Sequence, residues 1–144
     1  MTTGGTYVLE ITVSHSITVE VGALGPLTFA ADAYAYVGSA FGPGGFSRVD
    51  RHRELARGER DVRHWHVDYL LGQPATRLEA VVTVPGEDCE CELASTLPGE
   101  PVAGFGASDC DCEAHLLELV DREAFHERCD RVGGGRSIEF DRSG

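Results

Sequence analysis

The chain has 144 residues, the size of one ordinary domain, which buries about two thirds of the surface that its unfolded chain exposes. Hydrophobic residues make up 42% of the sequence, and no run approaches the ~20 apolar residues of a membrane-spanning helix, which excludes a helical membrane protein. The net charge is −12, from 24 acidic and 12 basic residues, and every basic residue is an arginine.

The acidic excess is typical of a halophilic protein. Repulsion between carboxylates is tolerated when the Debye length falls to ~3 Å at 1 M salt, so the charge describes the solvent more than a ligand. The N-terminal residues show no basic segment followed by an apolar block, and the five cysteines are an odd number. These features are not those of an exported disulfide-linked domain, and we expect a cytoplasmic protein with no membrane partner.

Positive charge is concentrated in one segment of the chain. Residues 46–66 have a net charge of +2 and contain half of the arginines. Three of the six histidines also lie there, namely His52, His64 and His66. In so acidic a protein, this asymmetry predicts a surface that faces an anion.

The first half of the chain predicts strands followed by a helix. Residues 6–21 alternate apolar and polar side chains, which indicates two half-buried strands that turn near residues 14–16. Residues 23–33 contain Gly and Pro and are predicted to be a connection, and residues 34–38 ("YAYVG") are predicted to form the next strand. Apolar side chains recur at helical spacing over residues 46–55, which predicts a helix.

The second half predicts a mixture of strands, helices and loops. The elements are a short strand or the start of a helix over residues 64–72, a strand over 75–86, a helix over 87–97, a loop over 98–114, a strand over 115–120 and a helix over 121–129. The Gly-rich tail, residues 131–144, is predicted to be frayed. We therefore expect one α+β domain over residues 1–130, with a small, mostly antiparallel central sheet flanked by helices.

Two tripeptides carry a resemblance to a known family. "GTY" at residues 5–7 and "YVG" at residues 36–38, followed by a helix rich in arginine, resemble the motifs of the GIY-YIG nuclease superfamily. With "HWHVDYLL" and "FGASDC", they are similar to an archaeal-type branch classed as a domain of unknown function and sometimes fused to endonuclease III. The resemblance covers about residues 4–120. The motif tyrosines lie 29 residues apart, farther than usual in the superfamily, which predicts an added strand or hairpin between them.

The resemblance implies a metal-dependent endonuclease that hydrolyses phosphodiester bonds in nucleic acid, with DNA and a repair-related role expected and a DNA-repair protein as a further candidate partner. It places Tyr7 and Tyr36 in the catalytic site, where one of them positions or deprotonates the attacking water. Arg48 corresponds to the arginine that stabilises the pentavalent phosphate, and His52 to a second polar group beside the scissile phosphate. Glu90 is the expected ligand of a single Mg²⁺ or Mn²⁺ ion.

Elementary chemistry is consistent with these roles. Hydrolysis of a phosphodiester builds negative charge on the phosphate oxygens, which cations stabilise. The guanidinium of arginine can pair with phosphate through two hydrogen bonds. Arg48, Arg51 and His52 have the i, i+3, i+4 spacing of one helical face, so Arg51 is a candidate substrate-binding residue. Gly38 is another, because a residue without a side chain lets the backbone approach a ligand closely.

"HWHVDYLL" is a further polar cluster. If this segment is a strand, His64, His66 and Asp68 share one face, and His66 is the preferred substrate-binding residue among them. The alternative is that the apolar residues of the segment lie in the core while the histidines are solvated or bonded to the backbone.

The cysteines provide a second kind of candidate site. Cys110, Cys112 and His115 have a C-x-C-x-x-H spacing, and Cys91 could complete a tetrahedral structural Zn²⁺ site. Buried free thiols, or a disulfide between Cys91 and Cys110, are the alternatives.

Each catalytic candidate also has a structural alternative. Tyr7 and Tyr36 could be core aromatics, and the arginines of the helix could form a solvated face with neighbouring carboxylates. Glu90 could instead stabilise the N-terminus of a helix through the helix dipole. Glu92 is the alternative carboxylate ligand of the metal ion. The alternative function is a non-catalytic nucleic-acid-binding module, or a zinc-stabilised interaction module, on the same fold.

Overall fold

The computed structural model describes residues 5–21, 25–30, 32–39, 47–56, 66–73, 75–85, 99–102, 115–119, 121–131 and 135–138. Within these residues the fold is α+β, as the sequence predicts. Its elements are, in chain order, β1 (Gly5–Val13), β2 (Ile17–Glu20), β3 (Pro26–Phe29), β4 (Asp32–Ser39), α1 (Ser47–Ala56), α2 (His66–Leu71), β5 (Thr76–Pro85), β6 (Gly99–Pro101), β7 (Leu116–Leu119), α3 (Arg122–Arg131) and β8 (Gly135–Ile138).

Six of the described strands form one antiparallel sheet in the order β6-β7-β4-β1-β5-β8. The strands β2 and β3 pair with each other in a separate two-stranded hairpin. Strand β1 lies inside the sheet and pairs with β4 from Thr6 to Val13 on one side and with β5 along its whole length on the other. The predicted antiparallel sheet flanked by helices is therefore confirmed.

Strand β1 separates two layers of core side chains. Because side chains alternate along a strand, Tyr7, Leu9, Ile11 and Val13 face one layer, here called the first core layer, which includes α1, α2 and the hairpin. Val8 faces the opposite layer, here called the second core layer, which α3 covers. Among the described helices, the buried apolar side chains of the first layer are Val49, Leu55, Val67, Leu70 and Leu71.

Helices on both faces explain why β1 differs from the half-buried strand that its alternating pattern predicts. Its polar residue Glu10 is only 2% exposed, because it lies under α3. Oε1 of Glu10 is 3.0 Å from Nε2 of His126 on α3. A buried carboxylate needs such a partner, so this contact helps to dock α3 on the sheet.

Three short strands differ from the sequence-based expectations. The strands β3, β6 and β8 lie in segments predicted to be a connection, a loop and a frayed tail. They form because β2, β7 and β5 offer backbone partners, which a local sequence pattern does not reveal. The hairpin of β2 and β3 confirms that a hairpin lies between the two tyrosine motifs.

The other predicted strands and helices are confirmed where the structure describes them, and the predicted helix over residues 87–97 lies outside the described residues. No helix in the described part of the chain is long and apolar enough to cross a membrane.

The substitution Phe125→Ala tests whether α3 packs on the sheet. Phe125→Ala is expected to lower the free energy of unfolding by about 3–5 kcal/mol, because it removes a fully buried ring from the second core layer. Glu127→Ala, on the same helix but 68% exposed, should change it by less than about 0.5 kcal/mol. Urea unfolding at constant salt measures both values. Equal effects of the two substitutions would show that α3 does not pack on this face.

Candidate active site

The two motif tyrosines and the helix histidine meet on the face of the sheet that α1 and α2 cover. The hydroxyl of Tyr7 and Nε2 of His52 are hydrogen-bonded at 2.8 Å. The ring of Tyr36 lies beside both, with its centroid 6.4 Å from that of Tyr7 and 6.4 Å from that of His52. The structure thus brings together three of the four predicted catalytic residues, from β4, β1 and α1.

Strand register explains why the two tyrosines meet. Tyr7 lies opposite Gly38, and Tyr36 lies opposite Leu9. The tyrosines are therefore diagonal neighbours on adjacent antiparallel strands, with their side chains on the same face of the sheet. Residues 29 positions apart in the sequence become neighbours through this pairing.

Gly38 makes room for the ring of Tyr7. A Cβ atom at position 38 would overlap the hydroxyl of Tyr7 and lie 2.8 Å from its Cε2 atom. The missing side chain therefore allows the Tyr7 ring to lie across β4 and reach His52. The expected contact of Gly38 with a substrate stays a prediction.

Asp68 is the residue that sequence reasoning did not connect with this site. Its Oδ1 atom lies 3.0 Å from Nδ1 of His52, and the side chains of His52 and Asp68 are 0% and 1% exposed. Tyr7, His52 and Asp68 form a continuous hydrogen-bonded set, here called the buried triad. Hydrogen bonds at such a site are stronger than in water, and an unmade one is more costly.

The position of Asp68 follows from the helical conformation of α2. Val67, Leu70 and Leu71 are buried at the i, i+3, i+4 spacing of a helix, which decides between the strand and the helix that "HWHVDYLL" allows. His66 and Asp68, two positions apart in a helix, cannot share a face as they would on a strand. The expectation of a strand is therefore wrong for His66–Leu71, whereas His64 lies outside the described residues. The helical apolar spacing is the signal that could have corrected it.

The burial of Tyr7 and Tyr36 tests the alternative that they are core aromatics. Tyr7 is 2% exposed and Tyr36 is 5% exposed, and both belong to the first core layer. They are core aromatics, as that alternative expects. Tyr7 also belongs to the buried triad, and the ring of Tyr36 lies beside it. A position in the core and a position at the candidate site are therefore compatible for both tyrosines.

The arginines of α1 have the predicted spacing. Arg48, Arg51 and His52 all lie within this helix, and Arg51 is half-buried. Asp50, one of the carboxylates neighbouring these arginines, is bound by Arg53 at 2.7 Å. The side chains of Arg48 and His66 lie outside the described part of the structure, although their backbones belong to α1 and α2.

The predicted metal ligands fall largely outside the described residues. Glu90, Glu92, Cys91, Cys110 and Cys112 all lie there, whereas His115 is buried at the residue before β7. Among the described residues, no group of three or more His, Cys, Asp or Glu side chains is arranged to hold a metal ion. The Mg²⁺ or Mn²⁺ site and the Zn²⁺ site therefore stay predictions.

A comparison with known protein families identifies a match over most of the chain. Residues 6–136 match the family described as "Domain of unknown function DUF123". The chain belongs to this family. The matched region contains the whole buried triad and Tyr36, so these residues are part of the DUF123 domain. No curated protein and no solved structure matches the chain. The description of the DUF123 family states no activity.

Gly38→Ala tests the steric role of Gly38 in this DUF123 domain. The new methyl group must displace the Tyr7 ring, so we expect a loss of about 1–3 kcal/mol in the free energy of unfolding. In a Tyr7→Ala background the same change should cost clearly less, because no ring occupies the space. Chemical denaturation of the two single variants and the double variant measures the difference. An equal cost in both backgrounds would contradict this packing.

Tyr7→Phe tests the hydrogen bond to His52. Removing the hydroxyl is expected to cost about 1–3 kcal/mol, since a buried polar group loses a partner. Tyr34→Phe is the matched control, because Tyr34 faces the same core layer and donates to the carbonyl of Ala30 at 2.9 Å.

Double-mutant cycles with His52→Ala distinguish the roles of Tyr7 and Tyr34. Tyr7→Phe should be non-additive with His52→Ala, whereas Tyr34→Phe should be additive within about 0.5 kcal/mol. Additive behaviour of Tyr7→Phe would show that the two groups do not interact.

Proposed function

We propose that this protein is a metal-dependent phosphodiester hydrolase of the GIY-YIG type, acting on nucleic acid with DNA as the expected substrate. The supporting observation is the 2.8 Å hydrogen bond between the hydroxyl of Tyr7 and Nε2 of His52, with the ring of Tyr36 beside it. These are residues that the motif resemblance assigns to the site. The cytoplasmic location and the repair-related role stay predictions.

The Tyr7–His52 pair can generate a nucleophile from water. A tyrosine, with an ordinary pKa of about 10, is a useful base only if its proton can leave. Transfer of the Tyr7 proton to Nε2 of His52 produces a phenolate and an imidazolium. The phenolate takes a proton from water, and the hydroxide attacks phosphorus as the bond to the leaving oxygen breaks. The leaving oxygen gains a proton and the imidazolium loses one, which restores both residues and consumes one water molecule.

Arginines on α1 would stabilise the charge that develops on the phosphate. Arg48 and Arg51 lie one helical turn apart, and Arg51 directly precedes His52 in this helix. Arginine stays charged at all relevant pH values and binds phosphate through a planar fork. A phosphate held by this helix would therefore lie near the residue that accepts the Tyr7 proton.

A divalent ion would complete the positive charge at the phosphate. Mg²⁺ or Mn²⁺ held by Glu90 and water molecules would act as a Lewis acid there. Glu90 lies outside the described residues. The proton transfers described above depend only on Tyr7, His52 and water.

Burial favours a second candidate function. Tyr7 is 2% exposed and His52 is 0% exposed, so water and phosphate reach the hydroxyl of Tyr7 only after neighbouring side chains move. If they do not move, the triad serves folding, and the arginines of α1 make the domain a non-catalytic nucleic-acid-binding module. Salt-dependent binding without hydrolysis would distinguish this candidate.

Cleavage assays test the proposed hydrolase. The purified protein is incubated at high salt with linear, nicked and branched DNA and with RNA, in the presence of Mg²⁺, Mn²⁺ or a chelator. We expect cleavage that requires the ion. Arg48→Ala should lower kcat on the order of 100-fold or more, because one charge-stabilising donor is lost.

Arg131→Ala is the control for Arg48→Ala. Arg131 is an exposed arginine on α3, on the other side of the sheet, and pairs with Glu127 at 2.8 Å. Its replacement should leave kcat unchanged. No cleavage of any substrate by the unmodified protein, or equal kcat values for Arg48→Ala and the unmodified protein, would refute the hydrolase.

A further inference from the structure

His52 makes a hydrogen bond on each side of its ring. Nε2 lies 2.8 Å from the hydroxyl of Tyr7, and Nδ1 lies 3.0 Å from Oδ1 of Asp68. The side chains of His52 and Asp68 are buried, so bulk water does not compete for either contact. Both ring nitrogens are therefore held by protein partners.

The chemistry of Asp68 decides which ring nitrogen carries the hydrogen. With Asp68 ionised, the carboxylate only accepts hydrogen bonds, and the 3.0 Å contact then needs an N–H group at Nδ1 of His52. In a neutral imidazole the other nitrogen then has a lone pair, and Nε2 accepts the hydrogen bond from Tyr7. In the opposite tautomer, a lone pair at Nδ1 would face the carboxylate, which is costly in a buried site.

We propose that Asp68 is a positioning residue of the candidate active site, which holds His52 in the Nδ1–H tautomer and thereby makes Nε2 the acceptor of the Tyr7 proton. This inference rests on the function proposed above. In the transfer, the O–H bond of Tyr7 breaks, its electron pair stays on the phenolate oxygen, and an N–H bond forms at Nε2. Asp68 takes up no proton, and its negative charge stabilises the imidazolium.

The fold holds Asp68 firmly in this position. Asp68 lies in the first turn of α2, and Val67, Leu70 and Leu71 of the same helix are buried in the first core layer. Helix α2 packs against α1, which carries His52. Core packing of two helices therefore sets the distance between the carboxylate and the ring.

The tautomer can be measured in the unmodified protein. In protein labelled with nitrogen-15 at histidine, long-range proton–nitrogen correlation spectra distinguish a protonated ring nitrogen from one with a lone pair. His52 is assigned by the signals that disappear in His52→Gln. We expect a protonated Nδ1 and a lone pair at Nε2 at neutral pH. A protonated Nε2, alone or together with a protonated Nδ1, would overturn the assignment.

Asp68→Asn tests the contribution of the carboxylate. The amide has a similar shape but can donate to Nδ1 as well as accept from it, so His52 should lose its preference for the Nδ1–H tautomer. We expect kcat for cleavage to fall on the order of 100-fold with KM changed by less than about threefold. Asp130→Asn, at an exposed position on α3, should change neither the tautomer nor kcat.

The outcomes separate this inference from the proposed hydrolase. An Asp68→Asn protein with the original tautomer and the original kcat would refute the role of Asp68, and so would a raised KM at constant kcat. If this variant does not fold, the spectrum of the unmodified protein still decides which tautomer is present. If the unmodified protein cleaves nothing, the hydrolase is refuted, whereas the spectra still decide whether Asp68 sets the tautomer of His52.

Discussion

The hydrogen bonds of His52 connect one strand and two helices, and the candidate site depends on them. Tyr7 belongs to β1, His52 to α1 and Asp68 to α2, and all three side chains are buried. A buried polar group costs free energy unless its partner is present, so the two helices and the strand are favoured only in arrangements that keep these bonds. The same contacts therefore specify helix docking and, in the proposed hydrolase, would arrange the groups for proton transfer.

The central position of β1 imposes the other constraint. On one face this strand supplies Tyr7, whose ring lies in the space that a side chain on Gly38 would fill. On the other face it supplies Glu10, which contacts His126 of α3. Both side chains belong to one strand whose register is set by pairing on each side, so a shift in that register would move both faces. The site consequently lies on one of the most constrained elements of the fold.

Burial has two opposing consequences for function. It removes water from the buried triad, which strengthens its hydrogen bonds. It also separates the hydroxyl of Tyr7 from solvent and from any phosphate that α1 could attract. Catalysis would require a local opening that exposes Tyr7 without disturbing the contact between His52 and Asp68, whereas a purely structural role requires no opening.

The sequence by itself determined the elements with a clear local period, including α1 and β5, and its motifs selected Tyr7, Tyr36 and His52 as a group. Such information is local, or lies in an ordered set of short motifs, so it can be read without a fold. It could not show that Asp68 joins this group, because positions 52 and 68 become neighbours only when α1 packs against α2. Nor could it show the edge strands β6 and β8, whose backbones are satisfied by strands distant in the sequence. The tertiary structure decided these features, because core packing and strand pairing set the distances between residues that no local pattern relates.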